Sequence, residues 1–575
     1  MESIKLNLEE IPLLQFRDRS HLLDLIKSCG KEKDLCKTIR IHADIVSKRD
    51  LIRRDVYIGI ALIRTYAKCG SLEKSKEVFE QIPIRNVRAW NALIVGYSQH
   101  RRGHEALRFF ERMQDEGIAP DAVTYVCALK ACGIVKNLKL GEDIEAQIRR
   151  KRLLEKDIVL GNTLVDMYAK CGSLKRARKV FDQLLMRDVV SWNALISGYS
   201  HHGFGDEALK CFTQMQDEGI PPDIVTYICS LKACAIMRSL GIGEYIANEV
   251  RDKGLLQKDI MLGTALVDMF AKCGALVKAR EVFEEFRKMR NVSSWNAMIT
   301  GYAQHGFGFE ALNCFKQMKS EGISPNAITY ICILKACGLV GSLDMGEVVA
   351  SEVREKGMWQ NNIMLGTALV DMYAKYGALE KAREVFEQLP ARNVVSWNAL
   401  IAGYVQHGLS DEALQCFRKM QDEGIPPSSV TYICISKACG VVGSLEIGEV
   451  IDADVRKQGL LQNDIVLGTA LLDMYGKCGE LVKAREVFDF LAIRDVVAWT
   501  ALISGYAQHG FSDEALKCFR QMQDEGLSPH AVTFISILRV CVTERSFKIV
   551  DAINAEVRKE GLLQRDLMLG NTLVD

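Results

Sequence analysis

The sequence has few prolines, almost no net charge and no long apolar run. Ten prolines in 575 residues leave no proline-rich linker, and nothing in the composition separates the chain into unlike parts. The 74 Lys and Arg residues balance 73 Asp and Glu residues, so the net charge of +1 lacks the basic surplus that is typical of nucleic-acid-binding domains. The chain contains no stretch of about 20 apolar residues, which argues against a transmembrane helix and predicts no membrane association.

Clustered metal ligands and targeting signals are also missing. The 19 cysteines include no C-x-x-C pair. Four copies of a recurring K-C-G phrase contain Cys69, Cys171, Cys273 and Cys478, and the remaining copy has Tyr376 in place of the cysteine. We therefore expect buried packing cysteines in a reducing compartment, with no metal and no cofactor. The opening MESIKLNLEEIPLLQF has neither a signal-peptide core nor the Arg-rich, acid-poor character of a transit peptide.

What the chain has in abundance is repetition. Five tryptophans recur at intervals of 102, 103, 102 and 102 residues, each within a phrase such as VVSWNALISGY: Trp90, Trp192, Trp295, Trp397 and Trp499. A chain of this length exceeds the roughly 250–300 residues at which single hydrophobic cores stop growing. The interval therefore predicts one array of repeats rather than one globular core.

Each interval divides into three helical hairpins. Residues 189–223, 224–259 and 260–291 contain 35, 36 and 32 residues, and the other copies of the short segment contain 31. In 189–223, Trp192, Leu195, Ile196 and Tyr199 share one helical face, and Gly203 predicts its end. A second apolar face follows from Ala208 to Met215, and Gly219 with two prolines stops it. Such hairpins bury a continuous core only when they stack.

The rotation of lengths and the phrases VVSWNALISGY, LKAC and LVDMYAKCG resemble the P, L and S motifs of PLS-class pentatricopeptide repeat proteins. The resemblance implies an all-α, right-handed superhelical solenoid of tandem helix-turn-helix repeats over residues 19–566. It leaves an extension at 1–18 and the start of a truncated S-type repeat at 567–575. P-type repeats span 87–121, 189–223, 292–326, 394–428 and 496–530; complete S-type repeats span 56–86, 158–188, 260–291, 363–393 and 465–495; L-type repeats start near 19, 122, 224, 327, 429 and 531.

The resemblance implies sequence-specific binding of single-stranded RNA, one base per P- or S-type repeat. The fifth residue of a repeat would face the base edge, the last residue would support or select that contact, and the second residue would pack on the base plane. The predicted fifth/last pairs are Asn91/Asp121, Asn162/Asp188, Asn193/Asp223, Thr264/Asn291, Asn296/Asn326, Thr367/Asn393, Asn398/Ser428 and Thr469/Asp495, and the second residues include Val159, Val190, Val395, Val466, Val497 and Arg88.

By the family's usual correspondence these pairs predict the target 5′-UnUUnACnACnG-3′, read from the first P-type repeat. The unread letters fall on L-type repeats, whose fifth residues Val126, Ile228, Ile331 and Ile433 are apolar and cannot hydrogen-bond a base edge. Two pairs, Ile60/Asn86 and Thr500/His530, lie outside the correspondence and receive no letter.

Simpler explanations exist for each of these residues. Asn, Asp and Thr near helix starts are common caps, and a second-position valine could be ordinary helix packing. The tryptophans are expected in the core, and the histidines before Gly203, Gly306, Gly408 and Gly510 are expected to complement helix C-termini. No nucleophile–base pair, phosphate loop or deaminase signature is present, so no enzyme activity is expected.

The resemblance further implies a role in organellar C-to-U RNA editing or transcript processing, in a mitochondrion or chloroplast. A monomer is expected, with a deaminase or editing cofactor recruited in trans because the repeats include no catalytic motif. The alternative, favoured by the near-zero net charge, is a protein-interaction scaffold of the tetratricopeptide type, which would use the same concave face.

Overall fold

The computed structural model describes residues 19–47, 52, 55–155, 157–360, 362–462, 464–544, 550, 553–555 and 557. Within these ranges the chain forms helices, turns and loops and contains no strand, which confirms the predicted all-α class. The chain divides into two compact units, residues 1–290 and 291–575. The predicted extension at 1–18 and the partial repeat at 567–575 lie outside the described residues.

The first unit is a succession of antiparallel helical hairpins, followed by a 3-10 turn at Arg287–Met289. Its helices are Arg19–Glu32, Leu35–Ser47, Val56–Lys68, Leu72–Gln81, Val87–Gln99, Gly103–Asp115, Ala122–Val135, Leu138–Arg150, Ile158–Lys170, Leu174–Asp182, Val189–His201, Gly205–Asp217, Ile224–Met237, Leu240–Asp252, Ile260–Lys272 and Leu276–Glu285.

The second unit repeats the same design, with a 3-10 turn at Leu460–Gln462. Its helices are Val292–Gln304, Gly308–Ser320, Ala327–Val340, Leu343–Glu355, Ile363–Lys375, Leu379–Glu387, Val394–Gln406, Ser410–Asp422, Ser429–Val442, Leu445–Lys457, Ile465–Cys478, Leu481–Phe490, Val496–Gln508, Ser512–Asp524 and Ala531–Glu544.

Helix boundaries follow the predicted start and stop signals. In the repeat 189–223, Asp188 caps the first helix, and Gly203 adopts a left-handed φ of 84° just beyond its end. The second helix, Gly205–Asp217, is followed by Gly219 with a φ of 73°. Only glycine adopts such positive φ values without steric cost, which explains why a glycine recurs at both stops.

The recurring tryptophans join consecutive repeats through the core. Trp192 is fully buried and meets the ring of Phe181, in the second helix of the preceding S-type repeat, edge to face with centroids 4.5 Å apart. Trp397 and Trp499 form the same pairs with Phe386 and Phe488, also at 4.5 Å. The prediction that the tryptophans are core residues is confirmed.

Cysteines also serve packing at repeat boundaries. Cys171 places its Sγ 3.8 Å from the carbonyl oxygen of Cys132 in the preceding L-type repeat. In the copy where the cysteine is replaced, the hydroxyl of Tyr376 hydrogen-bonds to the corresponding carbonyl of Cys337. Burial raises the pKa of the Cys132 thiol to about 12, so it stays protonated at neutral pH.

Helices in the described part of the chain are too short and too polar to cross a bilayer. Each first helix instead packs on its own second helix and on the first helices of the adjacent repeats of its unit. The residue at the second position of a repeat therefore has a fixed place relative to the next repeat of the same unit.

First helices of S- and P-type repeats approach most closely where a glycine faces an alanine. A Cβ built on Gly198 would lie 2.5 Å from the Cβ of Ala169, and a Cβ on Gly403 would lie 2.5 Å from that of Ala374. Neither alanine has a flexible side chain that could move aside. A glycine is therefore required inside these helices despite its poor helix propensity.

We expect Gly198→Ala to destabilise the protein by about 1–3 kcal/mol, because the added methyl overpacks the contact with Ala169. The matched control is Gly241→Ala in the helix Leu240–Asp252, where a Cβ would meet nothing within 4 Å. That change should stabilise the chain by up to about 1 kcal/mol. Thermal unfolding followed by circular dichroism measures both, and equal shifts for the two variants would refute the close-contact explanation.

Candidate nucleic-acid interface

The last residue of each P- and S-type repeat caps the first helix of the next repeat. Asp223 accepts a hydrogen bond from the backbone N–H of Thr226, 2.8 Å away, and Asn326 accepts one from Thr329 at 3.1 Å. The same N-cap geometry is formed by Asp121, Asp188, Asn291, Asn393, Ser428 and Asp495. Capping is thus a real role of these residues, and it orients their side chains identically.

The fifth residues are not caps, because each lies inside its first helix. Where the fifth residue is Asn, its amide crosses to the cap of the following repeat in the same unit. Asn91 Nδ2 donates to Asp121 Oδ1 at 2.9 Å, and Asn193 Nδ2 donates to Asp223 Oδ1 at 2.9 Å. The remaining distances are 2.9 Å for Asn162–Asp188, 3.1 Å for Asn296–Asn326 and 3.0 Å for Asn398–Ser428.

Where the fifth residue is Thr, its hydroxyl does not reach the cap. Thr264 and Thr469 donate to backbone carbonyls one helical turn earlier, each at 2.8 Å. Thr367 Oγ1 is buried and has no hydrogen-bond partner among the described residues. Asn393 and Asp495 cap the helices that follow them, so in the second unit the sites of Thr367 and Thr469 keep the cap, with no direct hydrogen bond to it among the described residues.

Hydrogen bonding from the helix start controls the charge of the caps. Burial alone would raise the pKa of Asp121, but hydrogen bonds from the Thr124 backbone and the Asn91 amide outweigh it and lower the pKa. The pKa of Asp188 is lowered in the same way, by the backbone and hydroxyl of Ser191 and by Asn162. Both caps are therefore carboxylates at neutral pH and can act only as acceptors.

The second residues stand out from the helix surface. Val159, Val190, Val395 and Val466 are between 54% and 60% exposed, and Val497 and Arg88 are also exposed. About half of each side chain meets solvent, so each is accessible to a partner, and ordinary helix packing stays an alternative for the other half. In several repeats an exposed valine at the second position is therefore accessible to a flat apolar partner.

Two cavities bring the three positions together. One, of about 520 Å³, is lined by Tyr57, Arg88 and Val123 at second positions and by Asn91 and Asp121. The other, of about 440 Å³, is lined by Val466, Thr469 and Asp495 together with Lys437 and Val497. Both volumes lie within the range of ligand pockets, roughly 300–1,000 Å³. The fifth residues are mostly buried, and these two cavities are where Asn91 and Thr469 border open space.

A row of lysines at the thirteenth position of S-type repeats was not singled out from the sequence. Lys170, Lys375 and Lys477 lie at the ends of first helices and pair with aspartates one turn earlier, at 2.6, 2.7 and 2.7 Å. Asp473, the partner of Lys477, lines the second cavity. The recurring D-M-Y-A-K phrase was the available signal, since Asp and Lys four residues apart share one helix face.

The recurring histidines complement a helix C-terminus, as predicted, but the helix belongs to the preceding S-type repeat. His202 Nε2 lies 2.8 Å from the carbonyl oxygen of Ala169, and His407 Nε2 lies 2.9 Å from that of Ala374. The histidines therefore hold repeats together and do not extend the interface.

Comparison with known sequences identifies the array. The profile of the PPR repeat family matches residues 85–133, 187–236, 290–338, 392–440 and 494–543, and a second PPR repeat profile matches residues 61–87, 162–189, 264–291, 367–394 and 469–492. Together these segments span more than half of the chain. The chain belongs to the pentatricopeptide repeat family.

Relatives within this family come from Arabidopsis thaliana. A mitochondrial pentatricopeptide repeat-containing protein is 35% identical over 92% of this chain and 60% of its own length. A chloroplastic one is 35% identical over 87% of this chain and 80% of its own length. The chain therefore spans about three fifths of the first relative and four fifths of the second.

Among solved structures, the pentatricopeptide repeat protein PPR10 from maize shares the fold. Its crystal structure matches with a TM-score of 0.57 and 18% sequence identity, covering 94% of this chain and 89% of that chain. The complex of PPR10 with an 18-nt psaJ RNA element matches with a TM-score of 0.50 and 17% identity, covering 93% and 92%. At this identity the likeness shows the fold.

The lowered pKa of Asp121 predicts an acid-sensitive repeat boundary. Because its folded-state pKa lies below the unfolded value of about 3.9, the carboxylate stabilises the fold above that pH and loses this contribution as the pH falls through the folded-state pKa. We expect the stability difference between the wild type and Asp121→Asn, which keeps a cap, to shrink from about pH 7 to about pH 3.

Thermal unfolding at a series of pH values measures this difference. The exposed Asp115, at the end of the helix Gly103–Asp115, supplies the control variant Asp115→Asn, whose effect should change less with pH. A wild-type advantage at Asp121 that is the same at both ends of the pH range would contradict the assigned hydrogen bonds.

Proposed function

We propose that this chain binds single-stranded RNA in a sequence-specific manner, with one base at each P- and S-type repeat. The observation that carries the proposal is the shared cavity of second, fifth and last residues. An exposed valine lies at its rim, and a polar pair such as Thr469 and Asp495 lies within it. A base stacked on the valine would direct its hydrogen-bonding edge at that pair.

The chemistry of the pairs supports a choice between bases. In Asn193/Asp223 the cap is an acceptor and the amide keeps one free N–H, which together complement the N3–H and carbonyl of uracil. In Asn296/Asn326 and Asn398/Ser428 the cap can donate, which suits N3 of cytosine. Thr367 and Thr469 offer shorter side chains that leave room for purines. We propose the target 5′-UnUUnACnACnG-3′ on this basis.

The lysine row supplies a site for the sugar-phosphate backbone. Lys170, Lys272, Lys375 and Lys477 are 39–52% exposed and recur once per three repeats on first helices. Each is already paired with an aspartate, so each lysine has its charge balanced on its own helix before RNA binds. We expect specificity to depend on the polar pairs and affinity to depend only moderately on salt.

The relatives in the family support a role for this chain in an organelle. One relative is mitochondrial and another is chloroplastic, and PPR10 forms a complex with an RNA element. We propose an organellar RNA-specificity protein of the PLS class that directs C-to-U editing or transcript processing, with any deaminase supplied in trans. The three repeat lengths in rotation support the class assignment.

A direct binding measurement tests the proposal. The full chain should bind an RNA with the word UnUUnACnACnG at least tenfold more tightly than a scrambled RNA of the same composition, at about 0.15 M salt. Equal weak binding to both RNAs would favour the protein-interaction scaffold, for which the net charge of +1 also argues.

Replacing the residue at the fifth position of one repeat should change the preferred base at one position of the RNA. We expect Asn193→Thr to shift the preference at the fourth base from pyrimidine to purine by about 1–3 kcal/mol, the usual cost of one mismatched position. The control is Asn313→Thr, an exposed residue on the second helix Gly308–Ser320, which should leave every preference unchanged. Competition binding with all four bases at that position reads the result, and an unchanged pyrimidine preference would refute the site.

A further inference from the structure

A buried threonine contacts the asparagine of each of four P-type repeats. It is the third residue of the L-type repeat that follows. Thr124, Thr226, Thr329 and Thr431 are fully buried. Each hydroxyl donates a hydrogen bond to the Oδ1 of the preceding P-type asparagine, at 2.6, 2.7, 2.7 and 2.6 Å respectively. These residues do not occur among the second, fifth and last positions from which the target was predicted.

The direction of this hydrogen bond is set by the helix start. The backbone N–H of Asp223 donates to Thr226 Oγ1 at 3.1 Å, which occupies an acceptor site of the hydroxyl. The hydroxyl proton is then shared between Asn193 Oδ1 at 2.7 Å and Asp223 Oδ1 at 2.9 Å. Asn193 Oδ1 therefore acts as the acceptor and Nδ2 as the donor to the cap.

The opposite amide orientation is unfavourable at this site. Rotating the carboxamide by half a turn would place its oxygen beside the Asp223 carboxylate and remove the donor that the carboxylate now has. It would also leave the Asp223 carboxylate as the only acceptor for the proton of the buried Thr226 hydroxyl. Unsatisfied or repelling groups in a buried site are costly, so the amide is held in one orientation.

An S-type repeat with the same Asn/Asp pair lacks the hydrogen bond to the amide oxygen. Asn162 donates to Asp188 as Asn193 does to Asp223. The residue in the threonine position is Ser191, whose hydroxyl donates to Asp188 Oδ1 at 2.8 Å. Asn162 Oδ1 is buried and has no hydrogen-bond partner among the described residues. Two identical Asn/Asp pairs in adjacent repeats therefore differ in whether the amide oxygen is held.

We propose that these threonines are positioning residues for base selection: they hold the P-type asparagine in one amide orientation, so that the cap alone decides between uracil and cytosine. The inference rests on the proposed function and extends it. A held amide presents the same free N–H at every P-type site, whereas the caps differ, with Asp121 and Asp223 accepting only and Asn326 and Ser428 able to donate. At Asn162 the hydrogen bond to Asp188 alone orients the amide, without a second bond to its oxygen, so selection there is weaker.

The test is Thr226→Val, which replaces the hydroxyl by a methyl of similar size. We expect the preference of the full chain for U over C at the fourth base of the word to fall roughly fivefold, the effect of losing one hydrogen bond. Preferences at the first and seventh bases, read by Asn91 and Asn296, should stay unchanged. Thr226→Ser should restore the fourth-base preference, and circular dichroism verifies that all variants are folded.

Ser191→Ala is the matched control, because it removes a capping hydroxyl that does not touch the amide. It should lower thermal stability as Thr226→Val does, yet leave the preference at the third base unchanged. In the wild type, discrimination between U and C should be sharper at the fourth base than at the third.

The outcomes separate this inference from the function on which it rests. A wild type that binds all RNA words equally overturns the proposed function itself. If the wild type discriminates at the fourth base and the Thr226→Val variant discriminates equally strongly, only the positioning role is overturned. Loss of discrimination at every base in that variant would show a general folding role and would also overturn it.

Discussion

The hydrogen bond that caps each first helix joins the fold to the site. One side chain, such as Asp223, satisfies the backbone N–H groups at the start of a helix and also binds the amide of Asn193 from the preceding repeat. The cap thereby sets where the helix begins and how two repeats align. The helix start requires an acceptor, and at the sites with a predicted letter it is Asp, Asn or Ser, whose acceptors and donors would also distinguish bases in the proposed function.

The remaining boundary contacts act to hold that junction rigid. The edge-to-face pair of Phe181 and Trp192, the contact of Gly198 with Ala169, and the hydrogen bond from His202 to the Ala169 carbonyl all lie between the same S- and P-type repeats. At the boundary between L- and S-type repeats, the hydroxyl of Tyr376 bonds to the carbonyl that a cysteine approaches in other copies. A rigid junction keeps the spacing of successive sites constant, which reading consecutive bases would require.

The charge distribution explains how a nearly neutral protein could bind a polyanion selectively. Lysines on the first helices are paired with aspartates on the same helix, as in Lys477 with Asp473. Such exposed pairs contribute little to stability, about 0.3–0.5 kcal/mol each. Their lysines can turn to a phosphate at small cost, whereas the paired aspartates limit attraction to RNA of unrelated sequence. Under the proposed function, discrimination would depend on the buried polar pairs, where hydrogen bonds are strongest.

The sequence by itself determined the repeat lengths, the helix boundaries and the buried face. Periodicity, glycine stops and caps act over a few residues, and Val189–His201 and Gly205–Asp217 follow from them. Only the tertiary structure decided which atoms meet across a boundary. The amides of Asn193 and Asn162 both donate to the cap of the following repeat, but only the amide of Asn193 also accepts a hydrogen bond from a buried threonine. The sequence shows Thr226 and Ser191 at the two equivalent places, but only the packing of helices from separate repeats decides that the first hydroxyl reaches the amide oxygen while the second donates to Asp188.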